Sequence, residues 1–124
     1  MEDFKKDFVP YDKALKMKEL GFDEPCFGFY DNGYLNIVNV RNGNMFKTNN
    51  GCLAPTFSQA FRWFREKYGM YSHIKTSGKI SVLEFTWVSN GKYGFFSKDG
   101  FKTYEETELD CLDKLIEIVE QKQT

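Results

Sequence analysis

The stretch Ala54–Gly69, APTFSQAFRWFREKYG, decides how this chain is read. Thr56 stands where a helix N-cap belongs and Gln59 follows three residues later. That is a capping box, in which the hydroxyl accepts a backbone N–H and the Gln side chain reaches back to the cap. Pro55 keeps the chain from turning helical any sooner. Phe57, Ala60, Phe61, Phe64 and Tyr68 then recur at i, i+3, i+4, i+7 and i+11, one apolar stripe at helical period. Gly69 suits the left-handed residue that closes a helix. The spacing predicts a helix lying across a sheet, with Phe61 and Phe64 each stabilising the fold by about 1.5–3 kcal/mol on burial. Arg62, Arg65, Glu66 and Lys67 take the opposite face, and Trp63 falls at the edge of the stripe, where it is expected to be half exposed.

Working back from this helix, Thr48–Ala54 reads as a loop. Before it, Cys26–Tyr30 and Tyr34–Val40 flank Asn32-Gly33, a dipeptide that favours the positive φ angles of a tight hairpin. A third short run, Met45–Lys47, follows Asn42-Gly43 and completes a predicted three-strand meander. Further back, Tyr11–Leu20 reads as a helix, with Pro10 early and Gly21 at the end. Phe22 can fold back onto Met17 beside that glycine. Residues 1–9 read as a loose lead-in that Phe4, Phe8 and Val9 can pin.

Working forward, residues 70–78 carry no clear pattern. Lys79–Val88 alternates, and Ser89-Asn90-Gly91 turns it back into Tyr93–Ser97. Thr103 and Glu106 make a second capping box for a helix over Tyr104–Gln121, with Leu109, Leu112, Leu115, Ile116 and Val119 facing inward. The expected order is α-β-β-β-α-β-β-α. This is an α+β domain over residues 1–124, an antiparallel sheet of about five short strands, a meander plus a hairpin, covered by three helices.

Length and composition agree with one self-sufficient core. The chain has 124 residues with 13 Phe, 7 Tyr and 2 Trp, and at this size about two-thirds of the unfolded surface can be buried. The start, MEDFKKDF, lacks the apolar run of a signal peptide, and no stretch is apolar for the roughly 20 residues of a membrane span. Three well-separated cysteines, Cys26, Cys52 and Cys111, form no CxxC pair. Reduced thiols, no metal and no cofactor are expected. The net charge of −1 is unevenly spread. Residues 25–98 hold nine bases against three acids, whereas residues 99–124 hold eight acids against three bases. A basic middle between acidic ends can attract an anion. The plainer reading is that the terminal helices are solvated by Asp and Glu.

Three stretches resemble a known group: FVPYDKALKMKELGFDEPC (Phe8–Cys26), the central helix, and TYEETELDCLDKLIEIVE (Thr103–Glu120). They resemble an uncharacterised family of small proteins from tailed bacteriophages and prophages. The resemblance covers close to half the chain, and Gly28–Leu53 lies outside it. It implies expression in the cytoplasm of an infected bacterium. The family has no assigned activity, so no catalytic residues carry over.

No catalytic motif is spelled out. His73 is the only histidine, so a Cys–His dyad or a triad would have to use it. Glu84 is the one acid inside an apolar strand. Both have plain readings, a surface histidine and a strand glutamate facing solvent. The phosphate-loop signatures G-x-x-x-x-G-K-[ST] and G-x-G-x-x-G are absent. The pattern that points to chemistry is cationic. Arg62 and Arg65 flank Trp63, and Arg41, Lys47 and Asn49 lie in the Gly/Asn-rich stretch before the helix. Arginine forks grip phosphate bidentately, an aromatic ring can stack on a base, and a helix N-terminus favours anions. The same residues also make an ordinary charged solvent face.

The sequence therefore predicts a small non-enzymatic phage protein that counters host defence by sequestering a phosphate-bearing nucleotide signal. The expected binding residues are Arg62, Arg65, Trp63, Arg41, Lys47 and Asn49. The alternatives are a module that binds a host or phage protein, and a small hydrolase built on Glu84 or His73. Nucleic acid is disfavoured by the net charge, a membrane is not expected, and a homo-oligomer is compatible.

Overall fold

A computed structural model describes residues 5–77, 80–89, 92–100 and 103–123. Phe4 and the Asn90-Gly91 turn lie outside the described residues. The elements run α1 (Tyr11–Glu19), β1 (Phe29–Asp31), β2 (Tyr34–Asn36), a 3-10 turn (Asn44–Phe46), β3 (Cys52–Leu53), α2 (Phe57–Tyr68), β4 (Met70–Ser77), β5 (Ile80–Ser89), β6 (Lys92–Gly100) and α3 (Tyr104–Gln123). The class is α+β. The strands form two separate antiparallel sheets of three, in the orders β2-β1-β3 and β4-β5-β6, in place of the single five-stranded sheet expected. The chain divides into two compact units, 1–60 and 61–124, with the boundary inside α2.

In the first unit the hairpin forms as its sequence dictates. Asn32 and Gly33 take φ of 53° and 81°, the signs of a two-residue type I′ turn, and Asp31 pairs with Tyr34, Tyr30 with Leu35, and Phe29 with Asn36. The third strand is Cys52–Leu53, which pairs with Tyr30 and Phe29. Met45–Lys47, expected as a strand, lies largely in the 3-10 turn. The Asn42 side chain explains this, because its Oδ1 accepts the Asn44 N–H at 3.0 Å and so starts a turn that competes with extended backbone. Helix α1 packs on β3. It closes on Gly21 (φ 98°), with Phe22 N–H on Met17 O at 2.9 Å and Gly21 N–H on Lys18 O at 3.0 Å. This is the double bond of a Schellman close. The described part of the lead-in is tied down. Phe8 and Val9 are buried, Val9 N–H donates to Pro55 O at 2.9 Å, and Tyr30 Oη donates to Val9 O at 2.7 Å.

Helix α2 starts at the Thr56 cap, whose Oγ1 accepts the Gln59 N–H at 3.2 Å. Gln59 does not return to the cap, since its amide donates to Pro25 O instead. The helix ends at Gly69 (φ 68°), whose N–H reaches Arg65 O at 3.0 Å. The buried face is turned from the expected stripe: Phe57, Ala60, Trp63 and Phe64 are buried, while Phe61 and Tyr68 are half-buried. Trp63 is only 6% exposed, against the half-exposed edge position expected. Indole carries more apolar surface than phenyl, so burying it outweighs keeping Phe61 at the centre.

In the second unit, residues 70–77 form a full strand that pairs with β5 throughout, from Met70 opposite Trp87 to Ser77 opposite Ile80. Strand β6 pairs along the other side of β5. Helix α3 packs on β4 and β5 and buries Cys111, Leu112, Leu115, Ile116, Ile118 and Val119, leaving Leu109 half-buried. Its cap is Thr103, whose Oγ1 accepts the Glu106 N–H at 3.1 Å. Among the described residues no helix is long and apolar enough to cross a membrane.

Candidate functional site

The loop Arg41–Gly51, RNGNMFKTNNG, is too rich in Gly and Asn to hold itself by packing. It is held by hydrogen bonds. Asn49 braces it internally, with Oδ1 accepting Gly51 N–H at 2.8 Å and Nδ2 donating to Met45 O at 3.0 Å. From α1, Lys18 Nζ donates to Asn49 O at 2.8 Å and Gly51 O at 2.9 Å, and Tyr11 Oη donates to Asn50 O at 2.8 Å. Residues seven apart lie on one face of a helix, so Tyr11 and Lys18 clamp the loop together. The Asp23 carboxylate, just past α1, accepts the Gly43 N–H. Gly51 sits so close to Phe46 and Tyr30 that a Cβ there would lie 2.6 Å from Phe46 Cδ1 and 2.9 Å from Tyr30 O.

This bracing leaves a pocket of about 340 Å³ lined by Lys18, Gly21, Phe22, Asp23, Gly43, Phe46, Lys47, Cys52 and Leu53. The volume lies at the lower end of the range for small-molecule sites, which are mostly apolar with a few placed polar groups. Here Phe22, Phe46, Cys52 and Leu53 are buried and apolar. Lys18, Lys47 and Asp23 supply the charge. Lys18 uses two of its three donors on the loop carbonyls, while Lys47 is exposed. Burial pushes the Cys52 thiol up to about 11, with Lys18 opposing weakly, so it lines the pocket as a neutral apolar group.

Of the residues expected to bind, Lys47 lines this pocket. Asn49 belongs to the same loop, but both ends of its amide are engaged in bracing. Arg41 is exposed at the start of the loop and is not among the lining residues. Arg62 and Arg65 belong to the second unit and are exposed. Arg62 Nε lies 3.8 Å from Glu66 Oε1, an i,i+4 pair with both side chains largely in solvent. Trp63 does not offer an open face for stacking. Its ring meets Phe64 at 5.1 Å and Tyr68 at 5.5 Å between centroids, both edge-on, and Lys67 Nζ sits over it at 5.1 Å. The reading of Thr48–Gly51 as a lead into a helix N-terminus also changes, because the loop runs into β3. Lys18 and Asp23 were missed by the sequence reading. Only the Schellman close of α1 could have hinted that the chain turns back there.

The two residues considered for acid–base work fall together. His73 on β4 is directly opposite Glu84 on β5, and Glu84 is opposite Ser97 on β6. The three share one row of the second sheet, and His73 is exposed. That register is also an ordinary one for opposed polar residues on paired strands. The cysteines supply no nucleophile. All three are buried without a disulfide, and burial raises Cys26 and Cys111 to about 12, far from the lowered values of reactive thiols. No group of His, Cys, Asp and Glu among the described residues could hold a metal ion. The chain matches no protein-family model, no curated protein and no solved structure.

Proposed function

We propose that the protein binds a small anionic molecule without turning it over, in the pocket between α1 and the Arg41–Gly51 loop. The observation that carries this reading is an apolar pocket of about 340 Å³ with two lysines and one carboxylate at its edge. An anionic group would sit at Lys47, with the remaining donor of Lys18 behind it. A flat apolar part would lie against Phe46 and Phe22. The second oxygen of Asp23 would accept an N–H at the far end. A mononucleotide, with phosphate, ring and exocyclic amino group, has that order of chemistry. Sequestration of a nucleotide signal, in the phage setting that the sequence resemblance implies, is the most specific form of the proposal.

Calorimetric titration against a panel of linear and cyclic mononucleotides tests it. Lys47→Glu should abolish binding, and Lys47→Ala should weaken it roughly ten- to hundredfold, the worth of one charge-assisted hydrogen bond. If no member binds more tightly than about millimolar, or if Lys47→Glu binds like the wild type, the proposal fails. A protein-interaction role is the second reading. It is favoured by Phe27, Tyr34, Ile37, Val38 and Met45, which are all exposed in the first unit.

A further inference from the structure

The side chains around the pocket offer a lopsided set of hydrogen-bonding groups. Lys18 and Lys47 only donate, and the Asp23 carboxylate only accepts. The other lining side chains are apolar, counting the Cys52 thiol, which burial keeps neutral. Backbone groups of the two lining glycines are largely taken. Asp23 accepts the Gly43 N–H, Gly43 O accepts the Phe46 N–H at 3.0 Å, and Gly21 N–H donates to Lys18 O at 3.0 Å. Asp23 is therefore the one strong side-chain acceptor among the lining residues.

It is also held in place. Its bond from Gly43 ties the segment after α1 to the loop and uses one of about four acceptor positions on its two oxygens. Gly43 itself has φ −95°, a value open to residues with side chains, so its backbone does not call for glycine. What glycine supplies here is room. A Cβ would lie 3.3 Å from Asp23 Oδ1 and 3.6 Å from Leu53 Cδ1, both on lining residues. The missing side chain leaves the space beside the carboxylate open.

We propose that Asp23 reads the base of the bound nucleotide and selects guanine, an inference that rests on the pocket binding a mononucleotide. Two oxygens side by side match two N–H donors side by side. Guanine carries such a pair on its Watson–Crick edge, at N1 and the 2-amino group. Hypoxanthine keeps the N1–H alone. Adenine and cytosine set a ring-nitrogen lone pair beside their amino group, and that lone pair faces an oxygen and is repelled. Uracil sets its one ring N–H between two carbonyl oxygens, which are repelled in the same way. The lysines accept any 5′-phosphate, so they supply affinity while the carboxylate supplies choice.

Calorimetric titration with the 5′-monophosphates of guanosine, inosine, adenosine, cytidine and uridine tests this. Asp23 is exposed, so water competes for its oxygens. Guanosine monophosphate should still bind about tenfold more tightly than inosine monophosphate, which lacks one charge-assisted hydrogen bond, and the other three should bind more weakly again. Asp23→Asn keeps an oxygen for the Gly43 N–H and turns the other position into a donor. It should weaken guanosine monophosphate about tenfold and make xanthosine monophosphate, whose O2 replaces the 2-amino group, the tighter ligand. Gly43→Ala crowds Asp23 Oδ1 and should narrow the preference for guanosine over adenosine. A wild type that binds the nucleotides without preferring guanosine overturns the choice of base and leaves the pocket reading standing. So does an Asp23→Asn protein that still prefers guanosine to xanthosine. A wild type that binds none of them overturns both.

Discussion

Replacing Gly51 by alanine tests how the pocket is built. At a site where alanine fits, this change stabilises a protein by about 0.4–1 kcal/mol through the unfolded chain. Gly51 is not such a site. The new methyl would lie 2.6 Å from Phe46 Cδ1 and 2.9 Å from Tyr30 O. Phe46 cannot swing away freely, because it is buried and packs on Phe29 at 5.6 Å between centroids. The Tyr30 carbonyl cannot retreat either, since Tyr30 is paired with Leu35 on one side and Cys52 on the other. Overpacking of this kind costs about 1–3 kcal/mol, and in a unit of this size each kcal/mol moves the melting temperature by about 4–8 °C. Scanning calorimetry should show Gly51→Ala melting below the wild type, and the ligand titration should show weaker binding, because Phe46 lines the pocket. Gly33→Ala is the control. It has open space around it but a φ of 81°, so strain of roughly 1–2 kcal/mol should lower its melting point and leave ligand affinity alone. A Gly51→Ala protein that melts at or above the wild-type temperature would refute this account of the loop.

Further outcomes follow from the core and the caps. Phe64 is fully buried, so Phe64→Ala should cost about 3–5 kcal/mol in urea unfolding, whereas half-buried Phe61 should cost less when truncated; equal losses would contradict the observed helix face. Thr103→Ala removes the hydroxyl that accepts the Glu106 N–H at 3.1 Å and should cost about 0.5–2 kcal/mol, with no loss pointing to a frayed cap. The thiols set an alkaline limit: burial raises Cys26, Cys52 and Cys111 from 9.0 to about 12, 11 and 12. The folded state holds these protons longer than the unfolded state, so their contribution is complete below pH 9.0 and is lost as the pH rises through the folded values. Melting temperatures should fall steadily above pH 9.0 and less steeply in Cys111→Ala, and a flat profile would overturn this. A native thiol titration should react slowly, and a denatured one should count the three groups.

What could be read in the sequence was what local chemistry decides. Thr56 and Gly69 mark the ends of α2 because capping needs only near neighbours, and Asn32-Gly33 fixes the hairpin for the same reason. Strand β4 escaped notice because MYSHIKTS mixes polar residues onto both faces, and its extended form comes from pairing with β5 along its whole length. Strand β3 is two residues long, too short for any period to show. Its role is to pair with β1 from the side opposite β2. The turn of α2 by one position is likewise a tertiary choice, made by the bulk of Trp63.

The candidate site divides in the same way. Lys47 could be picked out because a cation in a Gly/Asn-rich loop is conspicuous wherever that loop ends up. Lys18 could not, since it is one of five lysines in the first 24 residues, on a helix whose exposed positions look interchangeable. What distinguishes it is that α1 packs on β3, next to the loop that leads into β3. That packing brings the last turn of α1 within hydrogen-bond reach of two carbonyls about thirty residues away in sequence. The same packing suits lysine at this position better than arginine. A guanidinium favours planar two-point contacts, whereas carbonyls converging from a tight loop suit the compact, three-donor ammonium of lysine. A Lys18→Arg protein should therefore keep its charge and still lose part of the loop's order. The amide signals of Asn49–Gly51 would show this, and a spectrum identical to the wild type there would mean that charge alone, without the shape of the donor, holds the loop.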